Sequence, residues 1–119
     1  MNTIVTHPVA KDTPVSHLPF SPAVRVGDLI FVSGQASVDA NGKIVPDTFE
    51  GEFRRSVENL RKVLETAGSD LRHVVQTRNY IRDAANVARY NELYREYFSA
   101  PFPTRTTITN CLQIGRAHV

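Results

Sequence analysis

Residues 47–68 read DTFEGEFRRSVENLRKVLETAG, and this stretch decides the class of fold. Its apolar residues recur at steps of three and four, so they share one face of a helix. Those residues are Phe49, Phe53, Val57, Leu60, Leu64 and Ala67. We predict a helix with Asp47 as its N-cap and Glu50 three residues on, as in a capping box, that ends at Gly68. A helix that is apolar on one side buries that side against a second layer of secondary structure.

The segment before this helix predicts strands for that second layer. Residues 23–38, AVRVGDLIFVSGQASV, contain two β-rich runs around a Gly-Asp pair at 27–28, which indicates a hairpin. The second run, 29–32, is continuously apolar, and we expect it in the centre of a sheet. An Asn-Gly pair at 41–42 predicts a second hairpin turn.

The segment after the helix predicts a strand, a helix and another strand. Residues 73–81 are rich in β-branched and aromatic residues, which is typical of a strand. Asp83 can cap a second helix that Pro101 ends. One side of that helix carries Val87, Tyr90, Tyr94 and Tyr97. With a last strand at 104–112, the order β-β-β-α-β-α-β indicates an α+β fold whose two helices cover one face of a sheet.

Composition and charge indicate a single domain over residues 1–119. The chain is 41% hydrophobic, which is enough for one core at this length. Residues 1–16 hold prolines among polar residues and predict an extended N-terminal arm. The formal charge of +2 comes from interleaved cations and acids. Because there is no one-signed patch with aromatic platforms, we expect no nucleic-acid partner.

Neither a membrane nor a metal is predicted as a partner. No apolar run approaches membrane length and the N-terminus lacks the features of a signal peptide, so we expect no membrane contact and a cytoplasmic location. Cys111 is the only cysteine, and we interpret it as a small buried hydrophobe. The four histidines lack metal-ligand spacing, and we predict neither a metal site nor a cofactor.

Three segments share their order and spacing with a known family: FSPAVRVGDLIFVSGQ at 20–35, NELYREYF at 91–98 and PFPTRTTI at 101–108. Together they resemble the reactive-intermediate deaminases, RidA, also called YjgF, from about residue 17 to residue 112. The resemblance implies a chorismate-mutase-like α+β fold assembled as a homotrimer, with sheets packed into a central barrel and three clefts between subunits. It also implies hydrolysis of imines and enamines derived from amino acids, such as 2-iminopropanoate and 2-iminobutanoate, to 2-oxo acids and ammonia.

Arg105 follows the Pro-Phe-Pro corner of the third segment, and its chemistry suits a carboxylate. A planar guanidinium can hold a carboxylate through two parallel hydrogen bonds, each contributing about 1.5–3 kcal/mol. The alternative is an ordinary exposed arginine on a strand. The resemblance assigns Arg105 to the family's carboxylate-binding position, which favours the functional interpretation.

The resemblance implies further residues of the same cleft. Ser33, Gly34 and Gln35 match a cleft-lining turn, although an ordinary turn at a strand end explains them equally well. Asn91 matches a position on the second helix that shapes the cleft, although a polar helix residue needs no function. Phe20 is expected to wall the pocket, and Thr107 to meet the imine nitrogen through its main-chain carbonyl. The tyrosines of the second helix are interpreted as a packing face.

The sequence departs from the family pattern at both ends. Many active members have a Gly-Pro-Tyr motif where this chain has Leu18-Pro19-Phe20, so a hydroxyl able to position water is replaced by a bare ring. The family's last strand, Glu-Ile-Glu, carries a water-activating glutamate, and we predict that this strand is missing here. One reverse translation of QIGRAHV, residues 113–119, contains the opening of a sequencing-library adapter. We interpret these residues as a non-native tail.

Three functions remain to be weighed. The leading one is a deaminase, a hydrolase of C–N bonds, in which Arg105 binds the carboxylate and backbone groups near Gly34 and Thr107 align the imine. The alternative is a non-catalytic trimeric protein that binds small carboxylates or metabolites, favoured by Phe20 and the missing glutamate. Ribonuclease or translation-inhibitor activity is attached to some relatives. It ranks last because the sequence has neither a His/Lys/Glu catalytic set nor a basic aromatic groove.

Overall fold

The computed structural model describes residues 4–9, 17–112 and 115–119. These residues form six strands and two α-helices. The strands are β1 (Val5–Thr6), β2 (Ala23–Val26), β3 (Leu29–Val32), β4 (Gln76–Ile81), β5 (Thr104–Thr109) and β6 (Ala117–His118), and the helices are α1 (Phe49–Thr66) and α2 (Val87–Tyr97). One sheet has the antiparallel order β1-β2-β3. The other has the order β5-β4-β6, in which β4 is parallel to β5 and antiparallel to β6.

The N-terminal arm contributes a strand that the sequence did not predict. Val5 pairs with Val26 and Thr6 with Arg25, so β1 extends the first sheet beyond the hairpin. Residues 1–3 and 10–16 of the predicted arm lie outside the described residues. The arm is therefore extended at 5–6, as predicted, and is paired to the sheet there.

The hairpin of β2 and β3 has the predicted turn but a different place in its sheet. Gly27 has φ +58°, the left-handed conformation that a glycine adopts easily in a tight turn. The prediction that residues 29–32 are central is wrong, because β2 takes the central position between β1 and β3. Alternate side chains of β3 face opposite sides, and Leu29 and Phe31 are 60% and 61% exposed.

The Asn-Gly pair at 41–42 forms the predicted turn without a regular hairpin. The Asp39 carboxylate accepts a hydrogen bond from the backbone N–H of Asn41 at 2.9 Å, which closes the turn. In the described residues the flanking chain forms an isolated bridge between Val38 and Ile44 and no regular pair of strands. The third strand predicted before α1 is thus reduced to this bridge.

Helix α1 begins one residue later than predicted. Thr48 is the N-cap, because its hydroxyl accepts the N–H of Gly51 at 3.1 Å. Asp47 instead accepts the adjacent N–H of Thr48 at 2.7 Å, which occupies its carboxylate. The predicted capping box does not form: Glu50 accepts from Arg54 and Arg89, and the N–H of Asp47 donates to the Glu52 carboxylate at 3.2 Å.

Helix α1 ends as predicted. Gly68 has φ +87°, and the N–H of Ser69 bonds to the carbonyl of Leu64 at 2.8 Å, which is the long bond of a Schellman motif. Arg25 of β2 donates from Nη1 to the carbonyl of Ala67 at 3.0 Å. This cation at the negative end of the helix ties α1 to the first sheet.

Two short 3₁₀ turns shift the predicted boundaries in the second half of the chain. Leu71–His73 forms one such turn, capped by Asp70, so β4 begins three residues later than predicted. Asp83 accepts the N–H of Ala85 at 2.9 Å and caps the second turn, Ala84–Asn86, which leads into α2. The predicted cap is therefore real, but it acts on the turn before the helix.

The chain after β5 differs most from the prediction. Residues 113–114 lie outside the described residues, but β6 follows them and pairs with β4. Val119 then exchanges two backbone hydrogen bonds with Gln35, at 2.8 and 3.0 Å. The prediction that no strand follows Leu112 is wrong in this respect, because the backbone here pairs with a free edge of β4. The interpretation of 113–119 as a non-native tail stays a hypothesis.

The core lies between the two helices and the second sheet. The predicted apolar faces of the helices are buried at Phe53, Val57, Leu60, Leu64, Ala67, Tyr90 and Tyr94. Phe53 and Tyr90 make an edge-to-face contact with ring centroids 4.9 Å apart, which joins α1 to α2. Ile81 of β4 and Ala117 of β6 are fully buried in the same core.

In the described ranges no helix is long and apolar enough to cross a membrane.

Candidate functional site

The parallel pair of β4 and β5 brings the predicted site residues of β5 beside buried residues of β4. Thr77 is the partner of Arg105, and Asn79 is the partner of Thr107. Paired residues of parallel strands have side chains on the same face, so Arg105 and Thr107 lie on the side where Thr77 and Asn79 are buried. Contacts from α2 to Arg105 and Thr77 place that helix on the same side.

Arg105 is exposed, but its guanidinium has defined neighbours. Its Nη2 donates to the side-chain oxygen of Asn91 at 2.6 Å. Its Cζ lies 5.0 Å from the ring centroid of Tyr94 and 5.8 Å from that of Tyr90, within the range of cation–π contacts. Among the described residues the guanidinium donates only to Asn91, so the remainder of its planar N–H fork is open to a ligand.

Tyr94 connects this guanidinium to the buried side of the sheet. Its hydroxyl shares a hydrogen bond with the hydroxyl of Thr77 at 3.0 Å. Burial raises the pKa of Tyr94, and the bond to Thr77 and the charge of Arg105 lower it by less. Burial also raises the pKa of Tyr90 strongly. Both phenols are therefore neutral near pH 7, and they contact Arg105 through their ring faces and not as an ion pair.

Three buried oxygen atoms near this position have no hydrogen-bond partner among the described residues: Asn79 Oδ1, Tyr90 Oη and Thr107 Oγ1. Asn79 donates from its amide nitrogen to the Thr77 hydroxyl at 3.3 Å, so only its side-chain oxygen lacks a hydrogen-bond partner in the described residues. Buried polar atoms without protein partners are usually satisfied by ordered water or a ligand. The side chain of Thr107 therefore has unused hydrogen-bonding capacity next to Arg105.

The Ser33–Gly34 turn is held to the segment before β2. The Ser33 hydroxyl donates to the carbonyl of Ser21, and the Ser33 N–H donates to the carbonyl of Pro22 at 3.0 Å. Gln35 returns a side-chain bond to the carbonyl of Ser33 at 2.9 Å. A Cβ on Gly34 would meet no atom within 4 Å, so packing inside this chain does not require glycine there. The free space leaves room for another molecule beside the turn.

The structure brings together only part of the predicted site. Arg105 meets Asn91, and Thr107 lies on the same face of β5. Phe20 is 52% exposed. No hydrogen bond or ring contact in the described residues joins Arg105 to Phe20, Ser33 or Gly34. One chain therefore presents two separate groups of predicted site residues.

Sequence reasoning missed the parts of the site that support Arg105. Tyr94 was interpreted as packing alone, and Thr77 was not singled out. The available signal was the spacing of Asn91 and Tyr94, three residues apart on one helix, which places both on the same face. That spacing becomes informative only when the face is known to meet Arg105.

The structure adds no support for metal or thiol chemistry. In the part of the chain that the structure describes, no group of His, Cys, Asp or Glu side chains is arranged to hold a metal ion. Cys111 is partly buried, with its Sγ 3.7 Å from the carbonyl oxygen of Ile81 and 3.6 Å from that of Ile108. It is thus less buried than the sequence interpretation expected.

The two helices and mixed sheets define an α+β protein of the RidA/YjgF class, in which the exposed Arg105 lies beside the second helix. The chain belongs to the family described as Endoribonuclease L-PSP, whose family model matches residues 10–113. The solved structure of RidA from the Antarctic bacterium Psychrobacter sp. has the same fold, with a TM-score of 0.87 and 25% identity. That comparison covers 95% of this chain and 94% of the other.

Relatives in the family carry several names. The protein mmf2, mitochondrial, of Schizosaccharomyces pombe is 42% identical over 90 residues, which cover 76% of this chain and 71% of that protein. The 2-iminobutanoate/2-iminopropanoate deaminase of Mus musculus is 35% identical over 88 residues, which cover 73% of this chain and 65% of that protein. The predicted family and fold are confirmed, and the family includes proteins named as imine deaminases.

Proposed function

We propose that this chain hydrolyses reactive 2-imino and enamine acids, such as 2-iminopropanoate and 2-iminobutanoate, to 2-oxo acids and ammonia. The observation that carries the proposal is the guanidinium of Arg105, held by Asn91 and Tyr94 with the rest of its fork open. A carboxylate is the group that these substrates and their products share. The mouse relative named as a deaminase supports the same class of reaction.

In the proposed reaction, Arg105 binds the substrate carboxylate through two parallel hydrogen bonds and so fixes the orientation of C2. Backbone groups near Gly34 and the carbonyl of Thr107 align the imine nitrogen. The oxygen of water adds to C2 while one proton of that water passes to the nitrogen. The new hydroxyl then gives its proton to the nitrogen as the C–N bond breaks and the C=O bond forms, which releases ammonia and the 2-oxo acid. Imines hydrolyse readily in water, so orientation in a restricted cleft supplies most of the acceleration.

We further propose that the site is completed in a homotrimer, with clefts between subunits. Arg105 has no hydrogen bond or ring contact with Phe20 or Gly34 among the described residues of one chain, and a neighbouring subunit can supply that second group. Leu29 and Phe31 expose apolar side chains on an edge strand, a surface that association would cover.

A second candidate is a trimeric protein that binds small carboxylates without turnover. The observation that favours it is Phe20, whose half-exposed ring has no hydroxyl to position water. In that case Arg105 would still bind the carboxylate, and the spontaneous rate of imine hydrolysis would be unchanged.

The deciding experiment generates 2-iminopropanoate in situ and follows its disappearance with increasing protein. Titration with pyruvate, the product carboxylate, measures binding in parallel. We expect a rate that rises in proportion to protein and that Arg105→Ala abolishes. Arg72→Ala is the matched control, because Arg72 is an exposed arginine whose only side-chain ion pair in the described residues is with Asp70.

The outcomes separate the candidates. Acceleration that depends on Arg105 supports the deaminase. Pyruvate binding without acceleration overturns the deaminase and supports the binding protein. Absence of both overturns both candidates.

A further inference from the structure

Arg105 lies near the start of an edge strand, where a long exposed side chain would ordinarily sample many rotamers. Here a closed set of contacts restricts it. Asn91 accepts from one nitrogen, and the Tyr94 ring lies beneath the guanidinium. Tyr94 is fixed in turn by Thr77, and Thr77 is the strand partner of Arg105. The contacts therefore form a closed circuit of four residues, in which Thr77 of β4 and Arg105 of β5 are strand partners and Asn91 and Tyr94 of α2 contact Arg105.

We infer that Tyr94 is a positioning residue for Arg105 and that the Thr77 hydroxyl sets the position of the Tyr94 ring. This inference rests on the proposed function, since its consequence is a guanidinium already oriented for a substrate carboxylate. It assigns to Tyr94 and Thr77 a role beyond packing, because the Tyr94 ring contacts the guanidinium and Thr77 holds the hydroxyl of that ring.

The ring of Tyr94 has little freedom to move. Its face stacks on Phe98 with centroids 4.5 Å apart and an interplanar angle of 26°. Its hydroxyl end is bound to Thr77, which also accepts a bond from Asn79 at 3.3 Å. A ring fixed at both its face and its hydroxyl is a rigid surface for the guanidinium, whereas a packing residue without the hydroxyl bond could rotate or shift.

The residue Tyr97 offers a matched comparison on the same helix. Its ring lies 6.0 Å from the Cζ of Arg54, and its hydroxyl accepts a bond from Arg54 at 3.3 Å. Tyr97 thus resembles Tyr94 in having an arginine beside its ring and a hydrogen bond at its hydroxyl. In the described residues it makes no hydrogen bond or cation–π contact with Arg105. Loss of its hydroxyl controls for a general effect on α2.

The test uses the full chain with the variants Thr77→Val, Tyr94→Phe and their double mutant, and Tyr97→Phe as the control. Two quantities are measured: the order parameter of the Arg105 Nε–Hε group by ¹⁵N relaxation, and the dissociation constant for pyruvate. Thermal unfolding of each variant reports stability separately. Tyr94→Leu is added to remove the ring itself.

We expect Thr77→Val and Tyr94→Phe to lower the order parameter and to weaken pyruvate binding by about 3- to 10-fold. The double mutant should be no weaker than the single variants, because both remove the same link. Tyr97→Phe should change neither quantity. Tyr94→Leu should have the largest effect, and the smaller effect of Tyr94→Phe then shows that the ring contributes as well as the hydroxyl.

An unchanged order parameter in Thr77→Val and Tyr94→Phe would overturn the inference, even if both proteins unfold at lower temperature. An equal effect of Tyr97→Phe would overturn it too. If wild-type protein neither binds pyruvate nor accelerates imine hydrolysis, the proposed function fails, and the order parameter still decides the role of Tyr94.

Discussion

At the scale of single residues, Arg105 differs from Arg54 and Arg89 in what surrounds its guanidinium. Arg54 and Arg89 donate to carboxylates, so their charges are already paired. Arg105 donates to the neutral amide of Asn91 and lies over neutral tyrosine rings. Its positive charge is thus oriented without being neutralised, which suits an anionic ligand.

Replacing Arg105 tests this charge directly. Arg105→Ala should weaken pyruvate binding by at least about tenfold, since it removes charge-assisted hydrogen bonds worth about 1.5–3 kcal/mol each. Arg105→Lys should lose most of the affinity as well, because an ammonium cannot make two parallel bonds. Isothermal titration measures the affinity, and thermal unfolding should show stability within about 1 kcal/mol of wild type. Equal binding by the lysine variant would contradict a bidentate contact.

At the scale of elements, a charged cluster joins α1 to α2 above their apolar contact. The Glu50 carboxylate lies 2.7 Å from Arg54 on its own helix and 2.9 Å from Arg89 on α2. Arg54 also reaches Glu96 of α2 at 3.1 Å. The hydrogen bond from Arg54, followed by that from Arg89, lowers the pKa of Glu50 below its ordinary value of 4.5.

The pKa shift of Glu50 predicts a loss of stability in acid. Because the folded-state pKa is depressed, the contribution of Glu50 is present above pH 4.5 and is lost as the pH falls through the folded value. Glu50→Gln should therefore be less stable than wild type near neutral pH, and the two should converge once the pH has fallen below the folded-state pKa of Glu50. Unfolding midpoints across this range measure the effect, which added salt should reduce because the cluster is exposed.

Glu65→Gln is the control, since Glu65 is an exposed carboxylate of α1 with no ion pair among the described residues. It should follow the wild-type pH dependence. A gap between Glu50→Gln and wild type that is equally large at low pH would show that titration of Glu50 is not its cause.

A second prediction at this scale concerns the contribution of β6 to stability. Removing residues 113–119 would delete the β4–β6 pairing, the two bonds between Val119 and Gln35, and the bond at 2.8 Å from the Arg116 N–H to the buried Glu52 carboxylate. Several net hydrogen-bond contributions of about 1 kcal/mol each should be lost, so we expect destabilisation of at least about 2 kcal/mol.

Chemical denaturation of the shortened and full chains measures this loss. Glu52→Gln is the companion variant, because it keeps β6 while weakening the carboxylate contact. It should lose less stability than the shortened chain. Equal stability of the shortened and full chains would show that β6 contributes nothing.

At the scale of the whole molecule, the exposed apolar residues lie on the sheets and the adjoining loops. Leu29 and Phe31 lie on β3, and Ile108 of β5 is 43% exposed between the inward-facing Thr107 and Thr109. Ile108 therefore faces away from the helices. A helix-free sheet face with apolar side chains is the surface expected to associate in the proposed homotrimer.

Ile108→Glu tests that association. A charge buried without a partner in a subunit interface is strongly unfavourable, so the variant should shift the protein from trimer toward monomer at micromolar concentration. Lys62→Glu introduces the same side chain on the exposed side of α1 and should leave the assembly unchanged. Sedimentation equilibrium measures both. A wild-type monomer would contradict the proposed trimer, and a trimeric Ile108→Glu variant would exclude this face as its interface.

The sequence by itself determined the features that depend on local periodicity and backbone preference. The spacing of apolar residues located both helices and their buried faces, because burial follows the helical repeat. Gly27 and Gly68 marked a hairpin turn and a helix end, since both positions have positive φ. The resemblance added Arg105 and Asn91, and the structure places these two residues in contact.

Only the tertiary structure decided how distant segments meet. The edge position of β3, the pairing of β6 and the contacts of Tyr94 with Thr77 and Arg105 all join residues from separate elements. Such contacts depend on strand register and on how a helix lies across a sheet. A local pattern specifies which side of an element is buried, but not which residue of another element it will meet there, because that choice is made by packing of the whole chain.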